Sequence, residues 1–284
     1  MKKIFKLIVI FISSILFLII GYLVYVFLSY HRIEDEQVLN ISYINAESST
    51  DIYRNNYQNV KVCTEYEIVS FNIGFGAYEP DFGFFMDGGN QSWAWSQERL
   101  VKNIDNIRQF LISQNAPFIL LQEVDKSATR TYNIDEVELL TDNTGNNYAY
   151  ALNHDSPFLM YPLTLRPHGR SKSGLLSISD YDLMSSVRHS LPIEGGFRKF
   201  VDLDRCYTVS RIKVENGHEL LLYNLHLSAY TSDGKIVEEQ FKIILSDMQA
   251  EFEKGNYCIA GGDFNKDIVG LGSEVFGVSS KEEY

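Results

Sequence analysis

Cysteine is scarce in this chain and nowhere grouped: Cys63, Cys206 and Cys258 are the only three, and their positions match no zinc-binding spacing. A structural zinc module is thereby excluded, and outside the cytoplasm an odd number permits at most one internal disulfide with one thiol left over. Cys258 lies in an apolar stretch, where packing is its expected role. Basic surplus is missing as well. With 25 Lys and Arg against 37 Asp and Glu, the net charge is −12, which excludes a surface that coats nucleic acid along its length. It leaves open a local grip on one phosphate through a bound metal. Internal repeats and low-complexity tracts are also absent.

What is present is apolar. Across 284 residues, 45% hydrophobic and 13% aromatic content is enough to bury one large core or two modest ones. Residues 7–28, LIVIFISSILFLIIGYLVYVFL, carry no charge, and a helix of that length crosses a bilayer of about 30 Å. Lys2, Lys3 and Lys6 precede it and Glu34, Asp35 and Glu36 follow, which places the N-terminus in the cytoplasm and the rest outside. The run is longer than the apolar part of a signal peptide and no small-x-small cleavage site closes it. The expectation is an uncleaved single-pass anchor over residues 1–30 in the cell membrane, with an outer part of net charge −15.

Residues 31–65 are polar and aperiodic, which predicts a juxtamembrane stalk, and a domain over 66–284. EIVSFNIGF reads as a strand with Asn72 toward its end. After a loop, Ser96 stands as an N-cap before Leu100, Ile104, Ile107 and Leu111 at helical spacing. APFILLQEVD is a short apolar run that ends on Glu123. Strand-like YAYALNHD and SGLLSIS follow, then a hairpin of YTVSRIKV and ELLLYNLHLSAY around Asn216 and Gly217. Val237, Phe241, Ile244, Leu245, Met248 and Phe252 share one helical face, and Gly255 is placed as its C-terminal cap. The interleaving is α/β or α+β, with hairpins that favour mixed sheets flanked by helices over an all-parallel one.

Four predicted strands end on polar groups: Asn72 in SFNIG, Glu123 in LLQEVD, His226 in NLHLSAY, and Asp263 with Asn265 in YCIAGGDFN. In the last, Gly261 and Gly262 are read as a tight turn, and the acid and amide two residues apart point to one side. Asp, Glu and Asn oxygens suit a hard divalent cation, Mg²⁺ or Mn²⁺. A magnesium phosphoesterase is the economical reading, with an Asp orienting the attacking water and a His moving a proton. The bland readings stand beside it: Asx residues form turns and a lone His is more often structural. Glu123 resists that reading, because a charge at the edge of a core needs a partner. The loop RPHGRSKSG, with Arg166, His168, Arg170 and Lys172, reads as a solvated basic face that could also hold a phosphate.

In order and spacing, SFNIG, LLQEVD, SGLLSIS, NLHLSAY and GGDFN resemble the endonuclease/exonuclease/phosphatase superfamily over roughly residues 66–270. The resemblance implies a DNase I-like four-layer sandwich of two mixed sheets with helices outside. It implies that Glu123 binds the metal, that Asn72 supports metal and phosphate, and that Asp263 orients water while also reaching the metal. Asn265 would contact phosphate and metal, and His226 matches the histidine of the NxHL motif, which leans away from an AP-site repair enzyme. The family's domain also ends in an Asp-His pair, which is not found before the terminal GVSSKEEY. A domain short of its C-terminal segment is therefore expected. The expected function is a metal-dependent phosphoesterase acting on nucleic acid or a lipid headgroup, attached to the membrane, with no protein partner. The alternative is an inactive binding or structural module.

Overall fold

The computed structural model describes residues 2–43, 59–142, 147–196, 199, 204–229 and 234–266. A single helix, α1 (Lys2–Ser29), takes up the apolar run. The rest builds two five-stranded sheets. In one the order is β1 (Gln37–Val38), β7 (Leu183–Ser190), β8 (Cys206–Lys213), β9 (Glu219–His226), β10 (Tyr257–Asp263). In the other it is β2 (Ile41–Tyr43), β5 (Asn147–Leu159), β6 (Gly169–Ser179), β4 (Phe118–Ala128), β3 (Ile68–Asn72). Among the described strands, β3 with β4 and β9 with β10 pair in parallel and the others antiparallel, so both sheets are mixed.

Three apolar layers hold these sheets. Between them, Phe118 and Leu120 of β4 meet Ile212 of β8 and Leu220 and Leu222 of β9. Outside the second sheet, helices α2 (Gln97–Gln114) and α3 (Glu136–Thr141) cover Ile119, Leu121 and Leu176. Outside the first, α4 (Lys235–Glu253) covers Leu221, Tyr223 and Leu225. The architecture is the DNase I-like sandwich of helix, sheet, sheet and helix.

Local signals explain the helices. Ser96 Oγ accepts from Arg99 N, Leu100, Ile104 and Leu111 are buried, and Asn115 ends the helix in a left-handed conformation. On α4 the face differs from the one the spacing predicts. Val237, Gln240, Ile244 and Glu251 are buried while Leu245 and Phe252 are exposed, because Gln240 and Glu251 find polar partners in Ser228 and Arg211.

Two further expectations are corrected. Gly261 and Gly262 do not turn the chain; they lie inside β10, level with Asn224 and Leu225. Gly262 has φ +150°, and a Cβ there would meet Leu225 O at 2.1 Å, so only glycine lets β10 lie this close to β9. The stalk is likewise not free. Arg32 donates to Leu191 O, Asp35 accepts from Ser190 N, β1 pairs with β7 and β2 with β5, so the domain begins well before Tyr66. Residues 44–58 of the expected stalk and the C-terminal segment 267–284 lie outside the described residues. All three cysteines are free thiols.

Candidate active site

Strand register decides what meets at the site. Asn72, the last residue of β3, is level with Gln122 of β4, so Glu123 follows one step beyond. Asp263, the last residue of β10, is level with His226, the last of β9. The two parallel pairs thus release four polar side chains at one edge of the sandwich. Glu123 sits where the pairing of β4 with β6 slips, between Leu121 and Val124, and its φ is +57°. A bulge carrying a non-glycine residue in the left-handed region costs of order 1 kcal/mol or more and concentrates at functional sites.

The amide of Asn72 clamps two acids. Its Nδ2 donates to Glu123 Oε1 at 3.2 Å and to Asp263 Oδ2 at 2.8 Å, while its Oδ1 accepts from Gly74 N at 2.9 Å. That backbone donor fixes which way the amide faces. Burial pushes the Glu123 carboxyl above its ordinary range, partly offset by the Arg130 charge and the Asn72 hydrogen bond. His226 Nε2 lies 3.8 Å from Asp263 Oδ2, and burial, with the Arg205 charge, holds its imidazole well below the usual histidine range. The ring is therefore neutral near pH 7. Asn265, φ +49°, donates its backbone N–H to Asp263 Oδ1 at 2.9 Å and its Nδ2 to Leu227 O at 2.8 Å. Among the described residues its Oδ1 has no hydrogen-bond partner.

All five side chains line one cavity of about 660 Å³. Its wall also includes Asn153, His154, His168, Ser173 and Arg205, none of which the sequence patterns single out as catalytic. His168 is the surprise: within a loop read as a solvated basic face, it is buried, while Arg166 and Arg170 on either side are exposed. Burial pushes His168 down to about 4 and His154 well below its ordinary value. Behind them Arg130 donates to both oxygens of Asp125, each at 2.9 Å, and stacks 3.7 Å over Phe75. The other wall is aromatic, with Phe71, Phe84, Phe85 and Tyr161.

No group of three or more His, Cys, Asp or Glu among the described residues is arranged as a cation cluster. The donors on hand are two clamped carboxylates and an amide oxygen. Mg²⁺ commonly takes one or two carboxylates and keeps several waters, so this set fits a hard divalent ion. Asn72 turns its nitrogen toward both acids, which makes it their clamp rather than an oxygen donor to the same ion.

No family model and no curated protein matches the chain. Among solved structures, it is similar to the human Nocturnin catalytic domain with bound sulfate, at 17% identity over 74% of this chain and 67% of that one, with a TM-score of 0.48. It is similar to an endonuclease/exonuclease/phosphatase from Beutenbergia cavernae at 19% identity, over 71% of this chain and 48% of that one, TM-score 0.47. A family protein from Leptotrichia buccalis gives 18% identity over 74% and 71%, TM-score 0.46.

Proposed function

We propose that this chain, built on the DNase I-like sandwich, is a divalent-metal-dependent phosphoesterase carried on a membrane-spanning helix with its domain outside the cytoplasm. The observation that carries the reading is the Asn72 clamp. It holds two carboxylates side by side next to a neutral histidine, an arrangement that costs electrostatic energy unless a cation and an anionic substrate repay it.

Glu123 and Asp263, with Asn265 Oδ1, would hold Mg²⁺ or Mn²⁺, which when bound neutralises phosphoryl charge. The chain's own groups do the rest. Asp263 lines the cavity, and its Oδ2, within reach of His226, can orient a water there, while Asn265 N–H fixes its other oxygen. His226, neutral and buried, can take or give a proton at Nε2. The Arg205 charge lies on the same cavity wall, suited to an anionic ester. Nucleic acid and lipid headgroups both answer that description.

Hydrolysis of bis(p-nitrophenyl) phosphate by the full chain, with Mg²⁺ and with chelator, tests the reading. Glu123→Ala and Asp263→Ala are each expected to lower the Mg²⁺-dependent rate by about 10²–10⁴. Hydrolysis that survives both changes would reject the assignment. Plasmid DNA and sphingomyelin vesicles then separate the two substrate classes, and proteolysis of intact cells reports which side the domain faces.

A further inference from the structure

Residues 158–165, FLMYPLTL, run from the end of β5 into its link to β6 and are the most exposed apolar stretch outside α1 among the described residues. Leu163 is 88% and Leu165 fully exposed, and Phe158, Met160 and Tyr161 are exposed beside them. Exposed leucines in a row are rare on a surface that meets only water. The segment is also fastened to α1. Tyr22 Oη accepts from Met160 N at 2.8 Å, and Tyr25 Oη accepts from Phe158 N at 3.1 Å. Tyr22 precedes Leu28, the end of the apolar run, by six residues, about 9 Å along a helix axis. The backbone at 158–160 is therefore level with the last two turns of the apolar helix, not with the chain beyond it. Tyrosines at that level match the aromatic belt of a membrane interface. Arg166 and Arg170 follow the segment, both exposed, on a protein otherwise strongly acidic.

The same segment borders the candidate site. Leu159 and Tyr161 line the cavity, and the Tyr161 ring lies 5.3 Å from that of Phe85, which lines it too. We propose that residues 158–165 are a second membrane contact: Leu163 and Leu165 enter the interfacial layer of the bilayer that α1 spans, and so seat the cavity mouth at the lipid headgroups. This rests on the reading of α1 as a membrane span. Continuity with the helix selects lipid as the occupant, because any chain segment bound at Tyr22 and Tyr25 shares their depth. The two arginines add attraction for anionic headgroups.

The test uses the full chain in phosphatidylcholine/phosphatidylglycerol vesicles, with an environment-sensitive fluorophore on one introduced cysteine. Cys63→Ser and Cys258→Ala remove the accessible thiols, and Cys206 is buried. Leu165→Cys reports the proposed contact, Leu16→Cys the middle of α1, and Phe252→Cys, on an exposed face of α4, gives the water reference. The expected result is quenching of the Leu165 label by lipids doxylated near the headgroup, and of the Leu16 label by lipids doxylated deep in the chain. In the same vesicles, Leu163→Glu should weaken the shallow quenching of the Leu165 label. A Leu165 label quenched no more than the Phe252 label, beside a quenched Leu16 label, overturns the proposal and leaves the anchor standing. If the Leu16 label is unquenched too, the anchor reading itself has failed and the proposal falls with it.

Discussion

Gln122 Nε2 donates to Asn224 Oδ1 at 2.8 Å, across the space between the two sheets. Both side chains are buried; Gln122 also donates to Leu120 O, and Asn224 to Leu121 O, Leu176 O and Ser177 Oγ. This amide clasp lies one residue from Glu123 and two from His226, so it ties the strand that carries the acid to the strand that carries the histidine. Asn224→Leu keeps the shape but leaves an amide and two carbonyls short of a partner. The expected loss is about 2–4 kcal/mol of stability, measured by denaturant titration in detergent. Activity at a temperature where the variant stays folded should fall as well, because the two halves of the site lose their register.

Glu123 separates strain from function. At φ +57° glycine is the relaxed residue, and a buried carboxyl is removed with the same change. Glu123→Gly is expected to match or exceed the parent's stability, by up to about 1 kcal/mol, while Mg²⁺-dependent hydrolysis is lost. Glu123→Ala should lose the same activity and gain less. Thermal melts of the two variants side by side check this, and a glycine variant less stable than alanine would speak against strain.

Arg130 and Asp125 form an ion pair with almost no water around it. Arg130→Met leaves the Asp125 carboxylate buried and unpaired, at an expected cost of about 3–5 kcal/mol. The double change with Asp125→Asn should recover part of that loss. A double-mutant cycle measures the coupling.

Glu251 sets an acid limit. Its hydrogen bonds from Arg211, at 2.7 and 3.2 Å, lower its pKa from 4.5 to about 2. A depressed carboxyl stabilises the fold above pH 4.5, and that contribution drains away as pH falls from about 4.5 to about 2. His168 acts in an earlier window. Its neutral form is favoured by burial, with pKa lowered from 6.5 to about 4, so stability falls as pH drops from about 6.5 to about 4. Stability against pH should thus decline in two stages. Glu251→Gln is expected to flatten the lower one and His168→Asn to shrink the upper, to which the buried His154 and His226 also contribute.

Asn72, His226 and Asp263 are legible because each closes an apolar strand, and a parallel pairing aligns such ends by register alone; Glu123 is legible as the first acid after an apolar run, but β4 does not end there and continues through a bulge to Ala128. Asn153 and His154 are not legible. The pairing of β5 with β6 slips between Leu152 and His154, so two consecutive residues are buried and the period of two that marks a strand's inner face is broken. His168 was hidden by its neighbours, since a histidine between two arginines and beside a proline gives no apolar signal. The joining segment 31–43 looked like a stalk for a similar reason. β1 and β2 are two and three residues long, too short for any alternation to show.

Those two short strands have a mechanical consequence. Val38 pairs with Val187 in one sheet, and Ile41, three residues later, pairs with Ala149 in the other. With Arg32 and Asp35 also hydrogen-bonded to the domain, the chain between the end of α1 and the sandwich is tied down at several points. In a bilayer such a protein would not sweep the space above the membrane as a tethered domain does. It would hold its cavity at one height and one tilt and search by lateral diffusion, so lengthening the helix by a turn should shift the whole site away from the surface rather than slacken a leash.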